Sequence, residues 1–428
     1  MNEPQPRGDD AGPSSVTFVS GLSWSRVATP RLLSRIGKAL FVLGGLGMLS
    51  MVFRGHEMLA AASLIGAFGW LLFLVSYIVS FTHTSFGGGL TASNEGLVVL
   101  SGTRRRVIPA AKIAGALVVD RPVAGGIVPT VEIELTNGDR LIARIADPRG
   151  PLGIVRALGF ESGGRRVHAT LSKPTRRLLH PLFGFASAFA SYVVGLSAVM
   201  MVGMAFKTDG HELEVAFAAY PPVTLLLYTL LQRYVGAAVV TVGDDGVAVR
   251  AHGKTRLIAR RDIALVGSPT NGVLAIEERS GARIAVTNVM LDHARVAAVS
   301  RLVAERAGPS AGAGAEGFAH YERFAHYERA GRPLAAWRDH LGRAMNDASY
   351  RHNAATIDDA VAVLGSGEAS AEQRIGAALA LRVAGQPPDR IRVAAVGAVD
   401  DRVREALEAV ADAENDVAIE KALQRLQR

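Results

Sequence analysis

The chain of 428 residues has no cysteine, which excludes disulfide scaffolds, thiolate-ligated zinc or iron–sulfur sites and cysteine nucleophiles. Aromatic residues are scarce at 6%, and charged residues make up only 20% against 49% hydrophobic, so a disordered polyampholyte is excluded too. Metal-binding spacing is also missing: none of the eleven histidines falls in a His-x-x-x-His or His-Glu-x-x-His pattern, and no metal or other cofactor is expected. The glycine clusters at 87–89 and 365–367 lack the Gly-Lys-Ser/Thr ending of a phosphate loop and read as loops. Residues 1–35 are polar and lack the layout of a cleavable leader.

What is present is a set of long apolar runs, which raise the mean hydropathy to +0.23. Residues 39–53, 58–81, 182–206 and 215–232 are free of charged side chains, and read as four transmembrane helices in two hairpins, 36–81 and 182–232. Lys and Arg flank the outer ends of both hairpins, so the expected location is the cytoplasmic (inner) membrane, multi-pass, with both termini cytoplasmic. The net charge of +8 is uneven: residues 1–307 hold 32 basic against 21 acidic residues, while 308–428 hold 15 against 18. Basic residues beside apolar spans point to anionic membrane lipids as partners rather than nucleic acid.

Sliding the chain by 150 residues superimposes two copies of one unit. From 90 to 115 against 240 to 265, seven of 26 positions are identical, including Gly96 with Gly246, Arg106 with Arg256, Ile108 with Ile258 and Ile113 with Ile263. Each copy shows an acidic-Gly turn, a strand of alternating polarity, a basic turn, another strand, and an Asn-Gly or Ser-Gly hairpin. A helix-like stretch closes each, with Val296, Val299 and Val303 on one face in copy two. The expected β domains run 88–172 and 237–307.

Glu95-Gly96-Leu97, Ile108-Pro109, Ile113 and Asn137-Gly138, with Asp245-Gly246-Val247 and Ile263 in copy two, resemble the bacterial pleckstrin-homology-like membrane proteins over roughly residues 36–307. That resemblance implies a curved β-sheet capped by a helix at the membrane face, and an assembly or lipid-proximal module rather than an enzyme. The expected fold class is thus an α+β integral membrane protein: four transmembrane helices as two hairpins, each followed by a small pleckstrin-homology-like β domain, then an α-helical tail.

Residues 308–317 have linker composition and set off the tail, 318–428. The hexapeptide Phe-Ala-His-Tyr-Glu-Arg occurs twice in succession, at 318–323 and 324–329, with a period that matches neither one helical face nor a heptad. Leu334, Trp337, Leu341 and Met345 come next at helical spacing and suit a helical core. Arg374 with Ala377, Ala378 and Leu381, and Val403-Arg404 with Ala406-Leu407, resemble HEAT-type helical pairs, which implies stacking and a protein-binding surface.

No catalytic set of acid, base or nucleophile emerges, and no enzyme activity is expected. The remaining site candidates are basic: Arg104, Arg105 and Arg106, with Lys254, Arg256, Arg260 and Arg261 at the matching step of copy two. They can contact anionic lipid headgroups, or they can blunt solvated strand edges against pairing. Two functions stay open: a non-enzymatic scaffold whose tail binds another cytoplasmic or membrane protein, or a lipid- or small-molecule-handling module using the basic turns. A homo-oligomer fits either.

Overall fold

The computed structural model describes residues 16–25, 36, 83–172, 238–306, 324–346 and 356–427, with short gaps inside several of these stretches. The first unit comprises β1 (Val16–Ser25), β2 (His83–Ser93), β3 (Gly96–Ser101), β4 (Arg104–Pro109), β5 (Ile113–Val123), β6 (Gly126–Leu135), β7 (Arg140–Arg144) and helix α1 (Gly150–Ala157). Its seven strands form one sheet in the order β4-β3-β2-β1-β7-β6-β5, with neighbours antiparallel. Alternation explains the strands: in β3, Leu97 and Val99 point into the core while Leu100 faces out.

The second unit comprises β8 (Val167–Thr170), β9 (Val239–Val242), β10 (Gly246–Ala251), β11 (Lys254–Ala259), β12 (Ile263–Val266), β13 (Leu274–Glu278), β14 (Arg283–Val286) and helix α2 (His293–Arg306). Its strands pair as β11-β10-β9-β8 and β12-β13-β14. Strand for strand this is the first unit's order, split where the shorter β8 stops at a lone bridge, Ser172 to Leu291. The 150-residue offset is kept to the residue from β3 and β10 through the 3-10 turns Ala110–Lys112 and Arg260–Asp262. Gly96 and Gly246 occupy matching left-handed positions at φ +143° and +151°, where an added Cβ would overlap the carbonyl oxygens of Ile108 and Ile258.

The tail comprises α3 (Leu334–Asn346), α4 (Ile357–Gly365), α5 (Ala371–Val383), α6 (Asp389–Gly397), α7 (Asp401–Asp412) and α8 (Asp416–Gln427). Capping boxes start α4 at Thr356 and α5 at Ser370. Residues 373–381 of α5 are all buried, because α3, α4 and α7 pack around it. The two β units share one hydrophobic core and the tail has its own.

Three expectations change. The four proposed spans fall outside the described residues. Among the described residues no helix is long and apolar enough to cross a membrane. The longest of them, α2, has 14 residues, about 21 Å at 1.5 Å per residue against a roughly 30 Å hydrocarbon layer, and its valines are buried against strands. The integral-membrane class, the transmembrane hairpins and the multi-pass inner-membrane location are therefore corrected to an α+β fold with eight helices and several sheets among the described residues. Second, the polar N-terminal segment contains β1, which pairs with both β2 and β7 and sits inside the first sheet, and β8, placed by sequence in the first β domain, pairs with β9 of the second. Third, Gly87–Gly89 form no loop: they lie in β2 opposite Val19, Ser20 and Gly21.

Candidate functional site

The basic residues singled out by sequence lie on two outermost strands and on the 3-10 turn after the second. Arg104, Arg105 and Arg106 are exposed on β4, the outermost strand of the first sheet, and Lys254 and Arg256 hold the same places on outermost β11. Arg256 donates to Glu278 at 2.8 Å, and Arg261 lies 3.9 Å from its neighbour Asp262. Arg260 turns toward the tail, with Nε 3.7 Å from Glu368. Matching exposed apolar residues, Val107 (60% exposed) and Leu257 (40%), complete the two edges. Charge on an outermost strand is what keeps it from pairing indiscriminately.

Sequence reasoning missed the largest concentration of buried charge among the described residues, at the seam where α2 lies against β5 of the first unit. Arg295 is fully buried and donates to Glu132 at 2.6 Å and Glu134 at 3.0 Å, both on β6. Arg121 pairs with Glu132 and reaches Asp292 at 3.0 Å, and Arg140 stands 3.9 and 4.0 Å from Glu132 and Glu134. Thr170, on β8, donates its N–H at 3.0 Å and its hydroxyl to Glu134. Three carboxylates thus meet three guanidinium groups, contributed by both units. Burial alone would push Glu132 up, but Arg295, Arg140 and Arg121 outweigh it and hold this carboxyl below the ordinary range. Glu134 behaves likewise, through Arg295, Arg140 and the Thr170 hydrogen bonds. Both acids are therefore held ionised and fully engaged, which suits a fastening rather than proton transfer. Nearby His168 donates or accepts at Thr241 Oγ1 (3.0 Å), and burial pushes its imidazole down.

A second concentration fastens the tail. The turn between β9 and β10 enters the helical bundle, where Asp245 accepts from the N–H groups of Val399 (2.7 Å) and Asp400 (3.4 Å) and stands 3.4 Å from Arg374. Arg374 is 1% exposed and also donates to the Leu364 carbonyl at 3.1 Å. Gly367 is required by this contact, since a Cβ there would overlap the Asp244 carbonyl oxygen. Burial raises the Asp244 carboxyl. Arg166 donates to Asp401 at 3.1 Å at the rim. Arg374 was legible as a repeat-like position, but its carboxylate partner 129 positions earlier was not.

Among the described residues no group of three or more His, Asp or Glu could hold a metal. Comparison with protein-family models, with characterised proteins and with solved structures yields no match to this chain.

Proposed function

We propose that the chain is a non-enzymatic scaffold, in which two fused β units hold a stack of helical pairs that binds another protein. The carrying observation is the Asp245–Arg374 fastening. It fixes the tail's repeat-like pairs on the second β unit by a buried charge contact and leaves the outer side of α6 open. That side presents Val393 (57% exposed) and Val396 (44%) one helical turn apart, beside exposed Arg390 and Arg392. The two clusters of buried titratable groups are closed by internal pairs at seams between bodies, which supports fastening rather than turnover. The ligand-handling alternative has less support, because Arg256 and Arg260 are directed to Glu278 and Glu368.

The test compares proteins retained from source-cell extract by the full chain and by its Val393→Asp/Val396→Asp variant, each first shown to unfold at the same temperature. A specific protein retained by the first and lost by the second supports the scaffold. Identical sets, or a set that instead responds to charge reversal at Arg104–Arg106, overturn it.

A further inference from the structure

The second copy of the tandem hexapeptide, 324–329, is built into the tail: Phe324 and Tyr327 are buried, Glu328 accepts from Gln373 at 2.8 Å, and Arg329 pairs with Glu420 at 3.0 Å. Gly376 on α5 lets the backbone at Tyr327 approach so closely that a Cβ would overlap the Tyr327 carbonyl oxygen. The Tyr327 hydroxyl is buried with no hydrogen-bond partner among the described residues, and burial raises its pKa. Every group that makes these contacts recurs six residues earlier, since 318–323 carries the same six side chains in the same order. A scaffold needs no such second copy.

We infer that the groove on α5 and α8 is a two-register dock, able to hold either hexapeptide. Moving the first copy in shortens the tether between α2 and the docked segment by six residues, about 20 Å of extended reach, and passes the second copy into the connector before α3. The tail can thus take up or release slack while its fastening to the second β unit stays closed. The observed register is favoured by the two residues on its C-terminal side. Ala330 (φ 49°) and Gly331 (φ 76°) turn the chain in the left-handed region, whereas Phe324 and Ala325 would stand there after a shift.

Thermal unfolding of the full chain tests this with Tyr321→Ala, Tyr327→Ala and the double variant. Tyr321→Ala alone is expected to leave the midpoint unchanged, Tyr327→Ala to lower it, and the double variant to lower it further, because only the double loses both occupants. The absence of native cysteine allows the register to be read directly. Glu328→Cys/Gln373→Cys should cross-link in the otherwise native chain, and Glu322→Cys/Gln373→Cys once Tyr327→Ala is added. A Tyr327→Ala loss equal to that of the double variant overturns the proposal. So does a cross-link confined to position 328 in both backgrounds.

Discussion

Replacing Arg295 by Met isolates what the buried seam contributes. At an effective dielectric near 20, each carboxylate about 4 Å from a guanidinium is attracted by about 4 kcal/mol, and Arg295 serves two of them. Desolvation offsets much of that gain, so the pair's net value is small, but removing one partner leaves the other charged and buried. Such losses run at about 3–5 kcal/mol. Over a body of this size, that lowers Tm by roughly 6–20 °C. Converting the cluster together, Arg295→Met and Arg140→Met with Glu132→Gln and Glu134→Gln, removes the stranded charges, leaves Arg121 paired with Asp292 and should recover most of the loss. The effect of pH has a definite sign. In the native chain the folded-state values of Glu132 and Glu134 lie below their unfolded ones, so their contribution is full above about pH 4.3 and is lost as pH falls through the folded values. Removing Arg295 takes away the first of the cationic partners that lower both carboxyls, so their values rise relative to the native chain and the stability gap between variant and native chain narrows as pH falls. Differential scanning calorimetry at pH 5 and 7 on all three proteins gives the answer. An Arg295→Met chain as stable as the native one at pH 7, or a quadruple variant worse than the single, would refute the account.

Gly96→Ala and Gly246→Ala should each cost about 1–3 kcal/mol in urea unfolding, because both turns need a positive φ and have no room for a Cβ. A neutral result at either would break the equivalence of the two units. Asp245→Ala strands Arg374 and two N–H groups, and should destabilise the tail by about 3–5 kcal/mol and split one calorimetric transition into two; a single unshifted transition counts against the fastening. Ser370→Ala removes the capping box of α5, the helix on which α3, α4 and α7 pack, and should cost about 1 kcal/mol by chemical denaturation.

The repeat was legible in the residues because turn chemistry is local. Gly96, Ile108 and Ile113 recur 150 positions later at the same bends, and the structure keeps that spacing. β1 was not legible because its partners are distant in the chain. Ser25 ends one strand and His83, its pairing partner, begins the next, so residues 26–82 leave and return at one point in the sheet. A scan for contiguous β patterning starts the unit one strand late in both copies. The seam was hidden for a different reason: Glu132 and Glu134 alternate with Val131 and Ile133, which reads as the wet face of a hairpin. Only the packing of α2 and β8 from the other unit makes that face dry. The described helices bury their apolar residues in two cores, and none of them is long and apolar enough to cross a membrane.

Duplication makes two equal halves, and the contacts show how they became unequal. Glu134 and Arg140 are buried, while their counterparts Glu277 and Arg283 in copy two are exposed, because α2 and β8 cover the first unit's sheet face. The acidic turn shows the reverse: Asp245 is locked into the tail, while Glu95 in copy one faces solvent. Each half therefore uses a different part of the shared unit as its point of attachment, the first its β6 face and the second its β9–β10 turn. A charge reversal that ruins one copy's fastening should be tolerated at the matching position of the other. Glu134→Lys should unfold the seam while Glu277→Lys leaves it intact, a difference that ordinary thermal melts resolve and that a symmetric pair of domains would not show.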